Sequence, residues 1–180
     1  MINNKEDLHL YISEDAKANG YHYPFNFKTR LTYFFNPRLR YHLLLRKYEY
    51  YYNKASSGNK LYNIIKMFYY YKFRQCGYKC GFSIAANTFG PGLCICHVGT
   101  LVVNNNAKIG KNCRIHVGVN IGGFKGGVPT IGDNVYIGPG AKLFGGISIG
   151  NNVQIGANAV VNKSFPDNVI IAGVPAKIVK

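Results

Sequence analysis

The sequence predicts a mainly β protein, a parallel β-helix preceded by an α-helical segment, and three observations carry that prediction. From Phe89 to Val161 a branched apolar residue followed by Gly recurs on a six-residue spacing, as at Ile109-Gly110, Ile121-Gly122, Ile131-Gly132, Ile137-Gly138, Ile149-Gly150 and Ile155-Gly156. The composition changes near residue 80: residues 1–80 hold 14 of the 15 tyrosines and three glycines, and residues 81–180 hold the other 18 glycines. The first segment also carries helix caps and helical spacing, which the second lacks. A period of six is neither the two of a strand nor the 3.6 of a helix, so each unit is one supersecondary piece that stacks on the next.

In the first segment, Asn36-Pro37 reads as an N-cap with Pro at the first helical position, and Arg38 to Lys54 continues without a breaker. Ser56-Ser57-Gly58-Asn59 reads as a turn. Leu61, Ile64, Ile65, Phe68, Tyr69, Lys72 and Phe73 then repeat at helical spacing up to Gly77. Two amphipathic helices joined by a short turn are expected. In the plainer reading of their aromatic and basic faces, the tyrosines pack on the second half or on another subunit while Lys and Arg face water. In the sharper reading they form a surface that meets anionic lipid or a lipid-linked glycan, because Tyr and basic residues favour a boundary with one apolar and one charged side.

The repeat assigns an inward set: Phe89, Ile95, Val103, Ile109, Ile115, Ile121, Ile131, Ile137, Leu143, Ile149, Ile155 and Val161. The fifth position of each unit is also small or apolar, as at Ala107, Cys113, Val119, Val135, Ala141, Ile147, Val153 and Ala159. Three short strands per 18 residues, stacked in parallel, bury one narrow core and pair each backbone group with the coil above or below. Asn104, Asn105, Asn106, Asn112, Asn120, Asn134, Asn151, Asn152, Asn158 and Asn162 are expected at the corners, where left-handed geometry is tolerated. The spacing breaks twice. Eight positions separate Ile95 from Val103, around His97, and ten separate Ile121 from Ile131, around a glycine-rich loop from Gly122 to Thr130. Function is expected at these two irregularities.

With 22 Lys and Arg against seven acidic residues, the net charge of +15 attracts anions without naming them. The division is 14 basic against 5 acidic in residues 1–80, and 8 against 2 in residues 81–180. No apolar leader opens the chain and no stretch approaches the roughly 18 apolar residues of a membrane span, so a cytoplasmic protein is expected, with peripheral contact at the inner face of a membrane left open. Five irregularly spaced cysteines fit free thiols. No nucleic-acid reading motif is present, and a non-catalytic polyanion-binding module is the weakest alternative.

Four stretches resemble the left-handed β-helix (hexapeptide-repeat) acyltransferases, and within them the serine acetyltransferase group: Phe89-Gly90-Pro91-Gly92-Leu93-Cys94-Ile95-Cys96-His97, Val119-Asn120-Ile121-Gly122-Gly123, Ile137-Gly138-Pro139-Gly140-Ala141-Lys142, and Ala172-Gly173-Val174-Pro175-Ala176-Lys177. The resemblance covers residues 80–180 and supplies the left hand of the helix, which the period alone leaves open. It implies acetyl-CoA as co-substrate, a homotrimer, no metal, and a site between two neighbouring helices. It divides the chain into a helical, basic, Tyr-rich segment, 1–80, and a β-helix acetyltransferase domain, 81–180.

On that resemblance His97 is the general base, since a neutral imidazole accepts the proton of an alcohol that is otherwise too weak a nucleophile for a thioester. Backbone N–H groups at Gly122 and Gly123 are expected to meet the developing oxyanion. Gly138, Gly140, Ala141, Gly156 and Ala157 are expected to line the coenzyme groove, with Lys142, Lys163 and Lys177 toward its phosphates. His116, Asn104 and Lys125 are expected on the acceptor side. A zinc site from Cys76, Cys80, Cys94, Cys96 and His97 is the competing reading, at an unusual spacing.

The departures from the resemblance matter equally. The group carries an Asp before the catalytic His, where this chain has Cys96; an earlier Asp falls near Phe82 and Ser83; and an Arg-His pair falls at Gly127-Val128. Without this clamp for an amino-acid zwitterion, the expected acceptor is a sugar hydroxyl of a capsular polysaccharide, exopolysaccharide or O-antigen unit, with serine, the precursor of cysteine, as the alternative.

Overall fold

The computed structural model describes residues 1–56 and 58–180. Among the described residues four α-helices precede the β-structure: α1 (Lys5–Ala18), α2 (Phe27–Phe35), α3 (Pro37–Ala55) and α4 (Lys60–Cys80). Each starts on an asparagine. The Asn4 side chain accepts from Asp7 N, Asn26 from Thr29 N, Asn36 from Arg38 N and Leu39 N, and Asn59 from Leu61 N. The two helices expected from the sequence are α3 and α4. Helices α1 and α2 were not expected, and the turn read over Ser56-Ser57-Gly58-Asn59 includes Ser57, which lies outside the described residues. Helix α4 runs past Gly77 to Cys80 and stops at Gly81, whose φ of 79° closes it in the left-handed region. Gly77 lies inside the helix, at a close approach where a Cβ would stand 3.0 Å from Phe82 O and 3.3 Å from the Tyr41 ring.

From Phe82 the chain winds as a triangular prism. Its strands run β1 (Phe82–Ser83), β2 (Cys94–Ile95), β3 (Leu101–Val103), β4 (Lys108–Ile109), β5 (Arg114–Ile115), β6 (Asn120–Gly122), β7 (Thr130–Ile131), β8 (Tyr136–Ile137), β9 (Lys142–Phe144), β10 (Ser148–Ile149), β11 (Gln154–Ile155), β12 (Val160–Val161), β13 (Ile170–Ala172) and β14 (Lys177–Ile178). They form three faces, ordered β1-β3-β6-β9-β12, β10-β7-β4, and β14-β13-β11-β8-β5-β2. All pairings between these strands are parallel except β13 with β14, which folds the last strand back along the prism. The two register breaks appear as offsets. Ile131 pairs with Ile149 eighteen residues on, Ile95 pairs with Ile115 twenty on, and Ile109 pairs with Ile131 twenty-two on.

All twelve expected inward residues are buried, as are the small residues of the fifth position. Full burial of each Ile or Val stabilises by about 1.5–3 kcal/mol relative to exposure, and the stack supplies the core. The same apolar core continues into Tyr41, Leu45, Phe73, Cys76 and Cys80 of α3 and α4. The corner expectation is met at Asn112, Asn134, Asn152 and Asn158, which have positive φ, together with Asn87 and Asn168; the other six asparagines named for corners do not. Asn112, Asn134, Asn152 and Asn168 form a ladder, each amide donating to the next at 2.9, 3.0 and 2.8 Å.

Basic residues of the helices do not all face water. Arg46 is 0% exposed, and its guanidinium reaches Asp15 on α1, Glu49 on α3 and the carbonyls of Phe89 and Gly90. No helix among the described residues is long and apolar enough to cross a membrane.

Candidate functional site

The eight-residue break lies between β2 and β3 and bends the chain outward, so His97 is exposed at the corner between two faces of the prism. Stacked beneath it, the backbone repeats one contact coil after coil: Cys96 N donates to Ile115 O at 3.0 Å, His116 N to Ile137 O at 3.1 Å, Gly138 N to Ile155 O at 2.9 Å and Gly156 N to Ile171 O at 2.8 Å. Cys96, His116, Gly138 and Gly156 therefore share one edge. His116 Nε2 lies 3.3 Å from Cys96 Sγ, its ring centroid is 6.2 Å from that of His97, and the Tyr136 ring meets it edge-on at 5.2 Å. Partial burial pushes the His116 imidazole below its ordinary value, and the charges of Arg114 and His97 add to that, so it is neutral near pH 7. The guanidinium of Arg114 stands beside Cys96, and the thiol raises it further.

The helices complete the cleft around His97. Thr32 and Phe35 of α2, Asn36, and Pro37 and Arg38 of α3 face Cys96, His97 and Val98 across an open cleft of about 570 Å³. Arg38 Nη1 donates to Ile95 O at 2.7 Å and to Asn19 Oδ1 at 2.6 Å, and Asn19 in turn donates to Leu93 O at 3.1 Å. The end of α1 thus fixes a cation at the mouth of the break. Sequence reading missed Arg38 and Phe35; the signal was Asn36-Pro37, which starts α3 with Arg38 in its first turn.

The expected coenzyme residues split. Gly138, Gly140, Gly156 and Ala157 lie on the His97 edge, where Gly140 has φ of 75° and packs on Asn158. Ala141 does not join them: it is wholly buried and points into the prism, as its fifth-position register requires. Lys142 Nζ bonds to Gly118 O on the same edge. Lys177 is exposed on β14, against Ala172. Lys163 sits elsewhere, its ammonium 5.5 Å from the centre of the Phe165 ring.

Gly122, Gly123, Asn104 and Lys125 are not beside His97 in this chain. They lie at or beyond the far ends of β3 and β6, at the opposite edge of the face that begins after His97. The four extra residues form a hairpin tip: Phe124 and Gly127 exchange backbone bonds of 2.9 and 3.0 Å, with Lys125 and Gly126 at positive φ between them. Asn104 Oδ1 is taken by Asn106 N, and Lys125 Nζ lies over the Phe124 ring at 5.4 Å. Among the described residues no three His, Cys, Asp or Glu side chains gather in metal-binding geometry. The cysteines of the competing zinc reading fall into two pairs, Cys76 with Cys80 and Cys94 with Cys96; Cys76 also bonds to Pro37 O, and burial pushes the Cys94 thiol up to about 11.

This geometry has known counterparts. The bacterial transferase hexapeptide (six repeats) family matches residues 129–163. The serine acetyltransferase of Mycobacterium tuberculosis is 42% identical over 94 residues, 50% of this chain and 41% of that protein. That of Staphylococcus epidermidis is 44% identical over 95 residues, 51% of this chain and 45% of that protein. The chain thus spans under half the length of these curated relatives. Among solved structures, serine acetyltransferase from Brucella abortus strain S19 in complex with coenzyme A matches with a TM-score of 0.75 at 30% identity, covering 98% of this chain and 68% of that chain. The Neisseria gonorrhoeae serine acetyltransferase in complex with serine matches with a TM-score of 0.74 at 28% identity, covering 97% of this chain and 69% of that one.

The expected left-handed parallel β-helix with an N-terminal helical region is therefore borne out. The expected sugar acceptor and the role in polysaccharide synthesis are overturned, since these relatives are named throughout for serine. The groups absent from the β-helix do not exclude serine, and Arg38 of α3 lines the same cleft. At 30% identity over 68% of the Brucella abortus enzyme, the chain belongs to the serine acetyltransferase family of hexapeptide-repeat transferases.

Proposed function

We propose that this chain transfers the acetyl group of acetyl-CoA to the hydroxyl of serine, with His97 as general base. The hydroxyl oxygen attacks the thioester carbonyl while its proton passes to the His97 imidazole. Collapse of the tetrahedral oxyanion expels the coenzyme thiolate, which takes that proton back, leaving O-acetylserine and CoA with His97 restored. The observation that carries the proposal is that His97 and Arg38 line one cleft, with His97 at the head of an edge built from Gly138, Gly156 and Ala157. A planar guanidinium suits a carboxylate, and Arg38 and Arg114 are the cations within reach of the cleft. The ring of Phe35 offers a π-face to the ammonium in place of the missing Asp.

The fit to the coenzyme rests on the absence of bulk along that edge. Gly138, Gly156 and Ala157 leave the corner open to an extended pantetheine arm, and Lys177 is the exposed cation nearest its end, whereas Lys142 is held by Gly118 O. Gly122, Gly123 and Asn104 occupy the opposite edge of one face, so they meet His97 only from a neighbouring copy. A homotrimer that packs one copy's hairpin edge against the next copy's His97 edge joins the two halves, and residues 1–80 serve it as an accessory segment carrying Arg38.

The test is release of free CoA thiol from acetyl-CoA by the purified protein. L-serine is expected to accelerate release, and ethanolamine, which keeps the hydroxyl and ammonium but lacks the carboxylate, is expected to be a poor acceptor. Equal rates with both would remove Arg38 and Arg114 from the account.

A further inference from the structure

Helices α2, α3 and α4 leave a second surface that the transfer chemistry does not use. Arg30 and Phe34 of α2, Arg40 and Lys47 of α3, and Tyr71 and Lys79 of α4 line one open groove of about 590 Å³, with no acidic residue among its lining. Helices α2 and α4 contain no acid at all, and the single acid of α3, Glu49, is buried against Arg46. The charge is therefore uncompensated. Cations here lie against rings: Arg40 over Phe34 at 6.0 Å, Lys47 over Tyr69 at 5.7 Å and Lys72 over Phe68 at 5.1 Å.

The same face exposes apolar side chains that a folded chain usually covers. On α4, Leu61, Ile64, Phe68 and Tyr71 follow at i, i+3, i+7 and i+10, one stripe of the helix, and Ile64 and Phe68 are 68% and 54% exposed. On α2, Phe34, which lines the groove, is 62% exposed. Apolar stripe and basic rim together define the chemistry of what covers them. A second copy of this face is disfavoured, because two surfaces without acids repel when they meet. Soluble polyanions satisfy the cations but leave the aromatic stripe in water. An anionic bilayer satisfies both, with phosphates at the rim and the rings at the headgroup boundary.

We propose that the α2–α4 face is a peripheral docking surface for an anionic phospholipid bilayer. Each basic residue near such a surface adds attraction that salt screens within a Debye length, and the rings add the part that salt does not screen. Such docking holds the chain by its helices and leaves the opposite end of the prism in water.

The experiment is co-sedimentation of the full chain with vesicles of pure phosphatidylcholine and of phosphatidylcholine with phosphatidylglycerol. Binding is expected only to the anionic vesicles, weakening steeply between 50 and 200 mM salt as phosphate contacts do elsewhere. The double variant Phe68→Ser/Tyr71→Ser and the double variant Lys72→Gln/Lys79→Gln are each expected to weaken it about tenfold, with unchanged CoA release as the control for folding. Three results would overturn the proposal: equal binding to both vesicle types, full binding by the Phe68→Ser/Tyr71→Ser variant with displacement by heparin, or a smaller oligomer for that variant in sedimentation equilibrium. The second marks a simple polyanion site and the third a contact between copies.

Discussion

Arg46 of α3 grips Asp15 of α1 with two nitrogens, Nε at 2.8 Å and Nη2 at 3.2 Å, in a position from which water is excluded. The same carboxylate accepts Gly92 N and Leu93 N at 2.9 Å each, one turn before His97. A charge pair thus ties two helices to the first coil of the prism and sets where the eight-residue break begins. Replacing Arg46 by Met strands Asp15 and Glu49 without their cation and is expected to cost about 3–5 kcal/mol of stability, read by urea denaturation. A cost below 1 kcal/mol would mean that the helices dock by apolar contact alone.

Acidification should loosen the same junction. Burial, the largest single influence, would raise the Asp15 carboxyl, but the Arg46 guanidinium and the His42 ring together outweigh it and hold the group below its ordinary value of 3.8. Burial also pushes His42, 3.9 Å from Asp15, below 6.5. Both groups take up protons more readily when unfolded, so stability is complete above about pH 6.5 and falls as the pH drops, first through the His42 range and then below the carboxylate's. Glu49, raised by burial despite Arg46, offsets part of this. Melting temperatures across pH 7 to 3.5 should decline for the native chain, and His42→Gln, which has no group to charge in that range, should decline less.

The asparagine ladder offers a separable test of corner geometry. Asn134 has φ of 57° and bonds to Asn112 above and Asn152 below. Asn134→Gly loses the two side-chain bonds but keeps the backbone at ease, whereas Asn134→Ala also places a Cβ in the left-handed region, at about 1–2 kcal/mol more. Alanine should therefore be the more destabilising of the two in thermal melts.

Arg38 separates binding from chemistry. Arg38→Lys keeps a positive charge but cannot span Ile95 O and Asn19 Oδ1 while facing the cleft. The KM for serine is expected to rise on the order of tenfold, with the KM for acetyl-CoA little changed. An increase confined to acetyl-CoA would move Arg38 to the coenzyme side.

These residues also mark how far sequence reading reaches. The twelve inward positions were legible because a stack of identical coils imposes one burial period on the chain, and Ile95 or Ile137 can occupy only one side of it. His97 was legible because it interrupts that period. Helix α1 was not, because its apolar stripe is short and broken by the polar anchor Asp15; its buried side chains are Ile12, Asp15 and Ala16. Arg46 and Arg38 read as solvated charges for the same reason: their partners lie on elements far along the chain. Ala141 was misassigned between two patterns the sequence itself displayed, the coenzyme motif and the inward register, and the register won. The asparagines divided because only one corner position of each coil requires positive φ. The sugar acceptor rested on acidic and basic groups absent from the β-helix motif alone, and the cleft at His97 is also lined by α2 and α3, outside that motif.

The proposed acetyl transfer to serine turns on His97 as its base. The direct measurement is the initial rate of O-acetylserine formation, identified by mass, from acetyl-CoA and L-serine with the native chain and with His97→Ala. A loss of about 10²–10⁴-fold with an unaltered melting temperature is predicted; an unchanged rate in the variant, or no serine product from the native chain, would contradict it.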